Sequence, residues 1–202
     1  MIPPAVRRTA EDIRKLKIQG ATNVAVCGLR SLETLKNPSE KTLKECAALL
    51  AKMRPTEPLL RNGLAYVLHG VKVGMAVKDA ADDYLGFCGA AFKKIIEVGA
   101  KRIENNAKIM THCHSSLVTH ILTHAKKKHG KSFEVFASEA RPLLQGRITA
   151  SELSKAGIPV TFYVDSAMNS FVNKADFVLV GCDAITADGD FLNKIGTSCL
   201  AL

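Results

Sequence analysis

The rhythm of apolar residues changes after Asn106, and that change limits what this chain can fold into. Before it, hydrophobic positions recur three and four residues apart, the spacing of helices with one buried face. Val6–Leu16, Ala21–Leu35, Leu59–Leu68 and about Val77–Ile103 read as such helices, the last with weak points at Gly86, Gly89 and Gly99. Another helix is expected to start at Asn37-Pro38-Ser39-Glu40, with Asn37 as N-cap, Pro38 in the first turn and Glu40 three residues after the cap. After Asn106, short runs rich in Val, Ile and Phe alternate with helical stretches. Lys108–Thr111, Phe133–Ala137, Val160–Val164 and Phe177–Val180 read as strands, and Leu117–Lys128, Thr149–Ala156, Ser166–Lys174 and Ile195–Leu202 as helices. Strands spaced by helices imply βαβ units and a parallel sheet. The expected fold is therefore α/β, with a helical domain over residues 1–105 and a parallel-sheet domain over 106–202. Cys199-Leu200-Ala201-Leu202 reads as helix interior, so the chain is expected to be truncated, with the sheet short of at least one strand.

Ligands of open parallel sheets bind beyond the carboxyl ends of the strands. Most of the unusual polar residues of this chain follow such ends. Thr111-His112-Cys113-His114-Ser115-Ser116 reads as strand, tight turn, helix. It sets the Cys113 thiol beside the first amides of a helix, where a depressed thiol pKa is expected. Ser115 and Ser116, with those amides, suit a phosphate. His112 and His114 alternate around Cys113, so both cannot point as it does; either tunes its proton affinity or simply packs. Asp183 ends another strand. A carboxylate facing Cys113 from there makes an acid/base pair, whereas a bland reading is a turn cap. Asp188 and Asp190 belong to an Asp188-Gly189 turn and are expected in solvent. Asn193 and Lys194 suit a phosphate, as does Arg141, which alternatively orders its loop by pairing with Glu139. Arg54 projects from the helical half.

Other residues carry weaker signals. His120 and His124 share a helix face but lack a third metal ligand, so a surface role is expected and no metal is assigned. Cys182 is expected to point into the sheet packing, and Cys27, Cys46, Cys88 and Cys199 to lie in the core. The six cysteines form no C-x-x-C pair, no stretch has the length of a membrane span, and no signal peptide is evident; a reducing cytoplasm is expected. The formal net charge of +9 fits a phosphorylated substrate, while only 5% aromatic residues argue against direct stacking on nucleic acid. There is no Walker A loop and no G-x-G-x-x-G, so no nucleotide cofactor is implied.

Gly20-Ala21, Arg54-Pro55-Thr56, Thr111-His112-Cys113-His114-Ser115, Glu139-Ala140-Arg141-Pro142, Gln145-Gly146, Gly157-Ile158-Pro159-Val160, Val164-Asp165-Ser166-Ala167, Gly181-Cys182-Asp183 and Asn193-Lys194-Ile195-Gly196-Thr197 occur in this order. In this the chain resembles the archaeal ribose 1,5-bisphosphate isomerases. They are relatives of methylthioribose 1-phosphate isomerase and of the α/β/δ subunits of translation initiation factor 2B. The resemblance implies an N-terminal helical domain followed by a Rossmann-like domain. It implies conversion of ribose 1,5-bisphosphate to ribulose 1,5-bisphosphate in nucleoside degradation, without cofactor or metal, and homo-oligomers, dimeric or hexameric. It further implies catalytic roles for Cys113 and Asp183, and sugar-phosphate contacts from Gly20, Ala21, Arg54, Ser115, Ser116, Asn193 and Lys194. Gln19 stands where the family often has Arg, and Ala140 where it has Ser or Thr. A further substrate Lys of the family falls beyond this chain. The rival expectation is a non-catalytic regulatory subunit that binds sugar phosphate or nucleotide, or docks to initiation factor 2. Methylthioribose 1-phosphate isomerase is disfavoured by the Thr-His-Cys-His turn.

Overall fold

The computed structural model describes residues 1–201. Two compact units part inside one long helix, between Ala90 and Ala91. The first unit is helical: α1 (Pro4–Arg14), α2 (Ala21–Leu32), α3 (Glu40–Met53), α4 (Pro58–Lys72) and the first turns of α5 (Val77–Arg102). Val6, Ile13, Leu29, Leu43, Leu50 and Leu60 are fully buried at its centre, each on the inward face of its helix. Helices α2 and α4 touch closely, since a Cβ on Gly28 would lie 2.6 Å from Leu60 Cδ1.

The start of α3 differs from expectation. Asn37 is not the N-cap; it takes a left-handed turn with φ 47°. The cap is Ser39, whose hydroxyl accepts the Thr42 N–H at 3.2 Å. Its side chain reaches the third helical amide, whereas Asn37, ahead of Pro38, only reverses the chain. Ser39 is exposed, so Ser39→Ala removes little besides this bond and the 2.9 Å hydroxyl contact with Thr42 Oγ1. It is expected to destabilise the helical unit by about 1 kcal/mol in denaturant unfolding.

The second unit begins at Ala91 and includes the last turns of α5. It continues through β1 (Ala107–Thr111), α6 (Ser116–His129), β2 (Phe133–Ser138), α7 (Gly146–Lys155), β3 (Val160–Tyr163), a 3-10 turn (Asp165–Ala167), α8 (Met168–Val172) and β4 (Phe177–Val178). These four strands form a parallel sheet in the order β3-β2-β1-β4. Neighbouring residues on a strand face opposite sides, and both sides are covered. Ile109 and Val135 pack with Ile103, Leu122 and Leu153; Met110 and Phe136 pack with Tyr163, Met168 and Leu200. Gly99 lets α6 approach, a Cβ there lying 2.9 Å from Ile121 Cδ1.

The chain ends of this unit depart from the sequence reading. β4 stops at Val178 rather than Val180, although Leu179 N still donates to Met110 O at 2.9 Å. The helix expected over 166–174 is a 3-10 turn followed by the five-residue α8, and α7 starts at Gly146 rather than Thr149. A small antiparallel hairpin, β5 (Ala184–Ile185) and β6 (Phe191–Leu192), surrounds the Asp188-Gly189 turn. The helix expected over 195–202 is absent from the described residues. Gly196 is left-handed, with φ 98°, and only a 3-10 turn, Thr197–Leu200, follows. A Cβ on Gly196 would meet His112 Nε2 at 2.8 Å, so the backbone here bends to pack on a buried imidazole rather than coiling freely.

Candidate active site

The strand order decides where the site lies. From β1 the chain steps outward to β2 and β3, then crosses back so that β4 flanks β1 on its other side. The crevice at the carboxyl ends of β1 and β4 is thus the topological switch point, where open α/β sheets bind ligands. Cys113 follows β1 and Asp183 follows β4.

Cys113 has φ 67°, a left-handed conformation that few residues other than glycine adopt. Its carbonyl accepts from Thr149 Oγ1 at 2.9 Å. Because Thr149 spends its proton there, the 3.0 Å contact to His114 Nδ1 requires that nitrogen to donate. His114 therefore braces the turn and does not face the thiol. His112 is buried between Ser138 Oγ (2.6 Å from Nδ1) and Ile195 O (2.7 Å from Nε2). A carbonyl only accepts, so Nε2 carries a proton, and both ring nitrogens are engaged. Of the two possibilities for these histidines, both pack.

The thiol lies under cover, nine-tenths buried, and donates to Gln145 Oε1 at 3.4 Å. The same oxygen accepts from Lys194 Nζ at 2.8 Å. The expected depression of the thiol pKa is overturned. Burial pushes the Cys113 thiol up, the carboxylates of Asp183 and Asp165 add to this, and Lys194 opposes it. The reason is that the sulfur is taken out of water, which outweighs the backbone hydrogen bond at His114 and the Lys194 charge that favour the thiolate. Cys113 is a neutral thiol at neutral pH, a proton donor rather than a ready nucleophile.

Asp183 sits on the open rim, and its N–H donates to Leu192 O at 2.8 Å, which ties it to the hairpin. The segment leading to it is pressed on the Cys113 turn: a Cβ on Gly181 would lie 2.9 Å from Ser115 Cβ and 3.7 Å from Asn193 Oδ1. Asn193 Nδ2 donates to Thr197 Oγ1 at 3.1 Å, and Thr197 Oγ1 to Lys194 O at 2.7 Å, which closes the loop that carries both residues. Cys113, Ser115, Asp183, Asn193 and Lys194 are thus gathered at one sheet end, with exposed Ser116 opening α6 beside them.

Arg141 lies elsewhere on that end. With His112, Asp165, Ser166, Ile195 and Gly196 it lines a cavity of about 350 Å³. Its loop is ordered by Asp165, whose carboxylate accepts Ala140 N at 2.9 Å and Arg141 N at 2.7 Å, and not through Glu139. Ala140, where the resemblance expects Ser or Thr, is buried and left-handed at φ 57°. Gly20, Ala21 and Arg54 belong to the helical unit. Gly20, with φ 82°, precedes α2, which Ala21 opens. Arg54 ends α3, with Nη2 3.2 Å from Glu57 Oε2.

Three cysteines differ from expectation. Cys182 is exposed and donates to Ala184 O at 3.2 Å, because the hairpin lifts it off the sheet. Cys199 is exposed on the 3-10 turn that replaces the expected helix; Cys27 is half-buried, while Cys46 and Cys88 are core. Asp188 and Asp190 are exposed in the hairpin, and among the described residues no three His, Cys, Asp or Glu side chains form a metal cluster. Gln145 is the residue that sequence reasoning passed over. Its only signal was the Gln145-Gly146 pair beyond a strand end, which says nothing of where the side chain points.

The Initiation factor 2 subunit family matches residues 17–202. The ribose 1,5-bisphosphate isomerase of Haloferax volcanii is 39% identical over 100% of this chain and 66% of its own length. The ribose 1,5-bisphosphate isomerase of Archaeoglobus fulgidus is 40% identical over 98% of this chain and 66% of its length. The chain thus spans about two thirds of the curated relatives it matches. Among solved structures, the translation initiation factor eIF-2B of Pyrococcus horikoshii OT3 superposes with a TM-score of 0.89 at 28% identity, over 99% of this chain and 74% of that one.

Proposed function

This chain belongs to the initiation factor 2 subunit family, and on that premise we propose that it is an isomerase converting ribose 1,5-bisphosphate to ribulose 1,5-bisphosphate. The observation that carries the reading is the covered Cys113 thiol after β1 at the β1/β4 switch point, with the Asp183 carboxylate on the segment after β4 and Lys194 Nζ on the same Gln145 oxygen as the thiol. It is supported by relatives of that name at 36–40% identity.

An aldose blocked by phosphate at C1 has no free aldehyde, so the furanose ring must open first. Cys113 gives its proton to the ring oxygen, and the C1–O4 bond breaks with both electrons going to oxygen. Hydrogen then moves from C2 to C1 with its bonding pair, while the O2–H proton passes to Asp183 and C2 becomes a carbonyl. The hydride leaves and arrives within one molecule, so no external electron acceptor is consumed. Proton exchange with solvent restores the thiol and the carboxylate. Lys194, Asn193, Ser115 and Ser116 supply anion contacts beside these groups. Arg141, Gly20, Ala21 and Arg54 are assigned to the remainder of the bisphosphate. The working state is a homo-oligomer, dimeric or hexameric, in a reducing cytoplasm that keeps the six free thiols reduced.

The test is incubation of the full-length protein with ribose 1,5-bisphosphate and detection of ribulose 1,5-bisphosphate. Asp183→Asn is expected to lower kcat about 10²-fold, the lower range for a lost acid/base group, with little change in KM. An unchanged rate would remove Asp183 from the reaction. A second reading, a regulatory subunit, is favoured by the structural likeness to a translation initiation factor. Binding to initiation factor 2 with no turnover would support it instead.

A further inference from the structure

The isomerase reading gives Gln145 no task, yet two of its working groups, Cys113 and Lys194, converge on it. Its Oε1 accepts from the Cys113 thiol at 3.4 Å and from Lys194 Nζ at 2.8 Å. A carbonyl oxygen has two lone pairs, and both are used here. The ammonium of Lys194 has three N–H groups, so it can hold Gln145 and still present hydrogens to a phosphate. We propose that Gln145 is a positioning residue of the isomerase: its carbonyl fixes the Cys113 thiol and the Lys194 ammonium at a set separation, so that the proton donor and an anion contact act on one bound sugar phosphate. This rests on the isomerase reading, but the juxtaposition itself does not.

The backbone around Gln145 is built to hold it. Gly146 N donates to Glu139 O at 3.1 Å, and Leu144 N to Ala140 O at 3.0 Å. Ala140 and Leu144 are both left-handed, at φ 57° and 55°. Gly146 packs so closely on Ser138 that any side chain there would overlap its carbonyl. The residue before Gly146 thus has little freedom to move its side chain away from the β1 end. The charged groups that act on the sulfur in this setting are Lys194, Asp183 and Asp165.

Gln145→Glu tests this with a near-isosteric change. If Oε1 faces the thiol, the new carboxylate adds a like charge beside the thiolate and pairs with Lys194. Peptide-resolved alkylation with iodoacetamide across pH reads Cys113 separately from exposed Cys182 and Cys199 and needs no substrate. The Cys113 alkylation midpoint is expected to move up by about one pH unit or more. Steady-state kinetics are expected to show kcat down at least about 10-fold and KM for ribose 1,5-bisphosphate raised, because Lys194 is neutralised. An unshifted midpoint in the folded variant overturns the proposal, as does a shifted midpoint with unchanged kcat and KM. A shifted midpoint in Gln145→Glu, together with a wild-type protein that turns over no ribose 1,5-bisphosphate, overturns the isomerase role of Gln145 along with the isomerase reading, and leaves the contact standing.

Discussion

Cys113→Ser is expected to lower kcat on ribose 1,5-bisphosphate about 10³-fold, with KM changed little and thermal stability preserved. Serine keeps a hydrogen-bond donor for Gln145 Oε1 and fits the covered site. What it lacks is acidity, since a hydroxyl gives up its proton far less readily than a thiol. General acid/base groups contribute about 10²–10⁴-fold, and a group that must open the ring before anything else can happen belongs in the upper part of that range. The pH profile offers an independent check. Burial holds the folded thiol above its ordinary value, so the donor form persists through neutrality. As pH rises through that elevated pKa the proton is lost, and kcat/KM should fall on an alkaline limb above the ordinary thiol value of about 8.5. The limb should vanish in Cys113→Ser. Full turnover by the serine variant would end the role proposed for Cys113.

Gly146→Ala is expected to be the most damaging single methyl group that can be added to the site. Its Cβ would lie 1.7 Å from the Ser138 carbonyl oxygen, with the Ser138 and Glu139 carbonyl carbons at 2.8 and 3.0 Å. All three are backbone atoms at the end of a central strand, and none can rotate aside. The loop from Glu139 to Gln145 must shift, at a cost of about 1–3 kcal/mol or more for overpacking. The shift also carries Gln145 away from Cys113 and Lys194, so kcat should drop by about 10²-fold or more even where the protein remains folded. Gly86→Ala is the control. It lies in α5, where a Cβ meets nothing within 4 Å, and should be neutral or stabilising by up to about 1 kcal/mol. Melting temperature and steady-state rates for the two variants read both effects. Equal behaviour would mean that the Gly146 contact is not tight.

The legible parts of this protein were those coded over a few residues. Helical spacing located α1 to α5 within a few residues at each end, and the Val, Ile and Phe runs located the four parallel strands. Polar clusters beyond strand ends marked Cys113, Asp183, Asn193 and Lys194, which the fold gathers at one sheet end. Reading failed where two chemistries competed locally. Asn37 and Ser39 both suit a cap, and only the backbone path after Pro38 chose Ser39. Residues 195–202 have helical composition, but packing of Gly196 on His112 bent the chain.

Short-range pattern on its own determined that a helical half precedes a βαβ half, and which strand ends gather polar residues, because periodicity and polarity are properties of neighbouring residues. Tertiary structure alone decided the order β3-β2-β1-β4 that makes β1 and β4 adjacent, the upward direction of the Cys113 pKa, and the contacts of Gln145 Oε1 with Cys113 and Lys194. Those depend on burial and on partners 32 residues away, for Cys113 and Gln145, and 49 away, for Gln145 and Lys194. No local pattern encodes a hydrogen bond across such a separation; the sheet register and the steric fit of Gly146 against Ser138 create it.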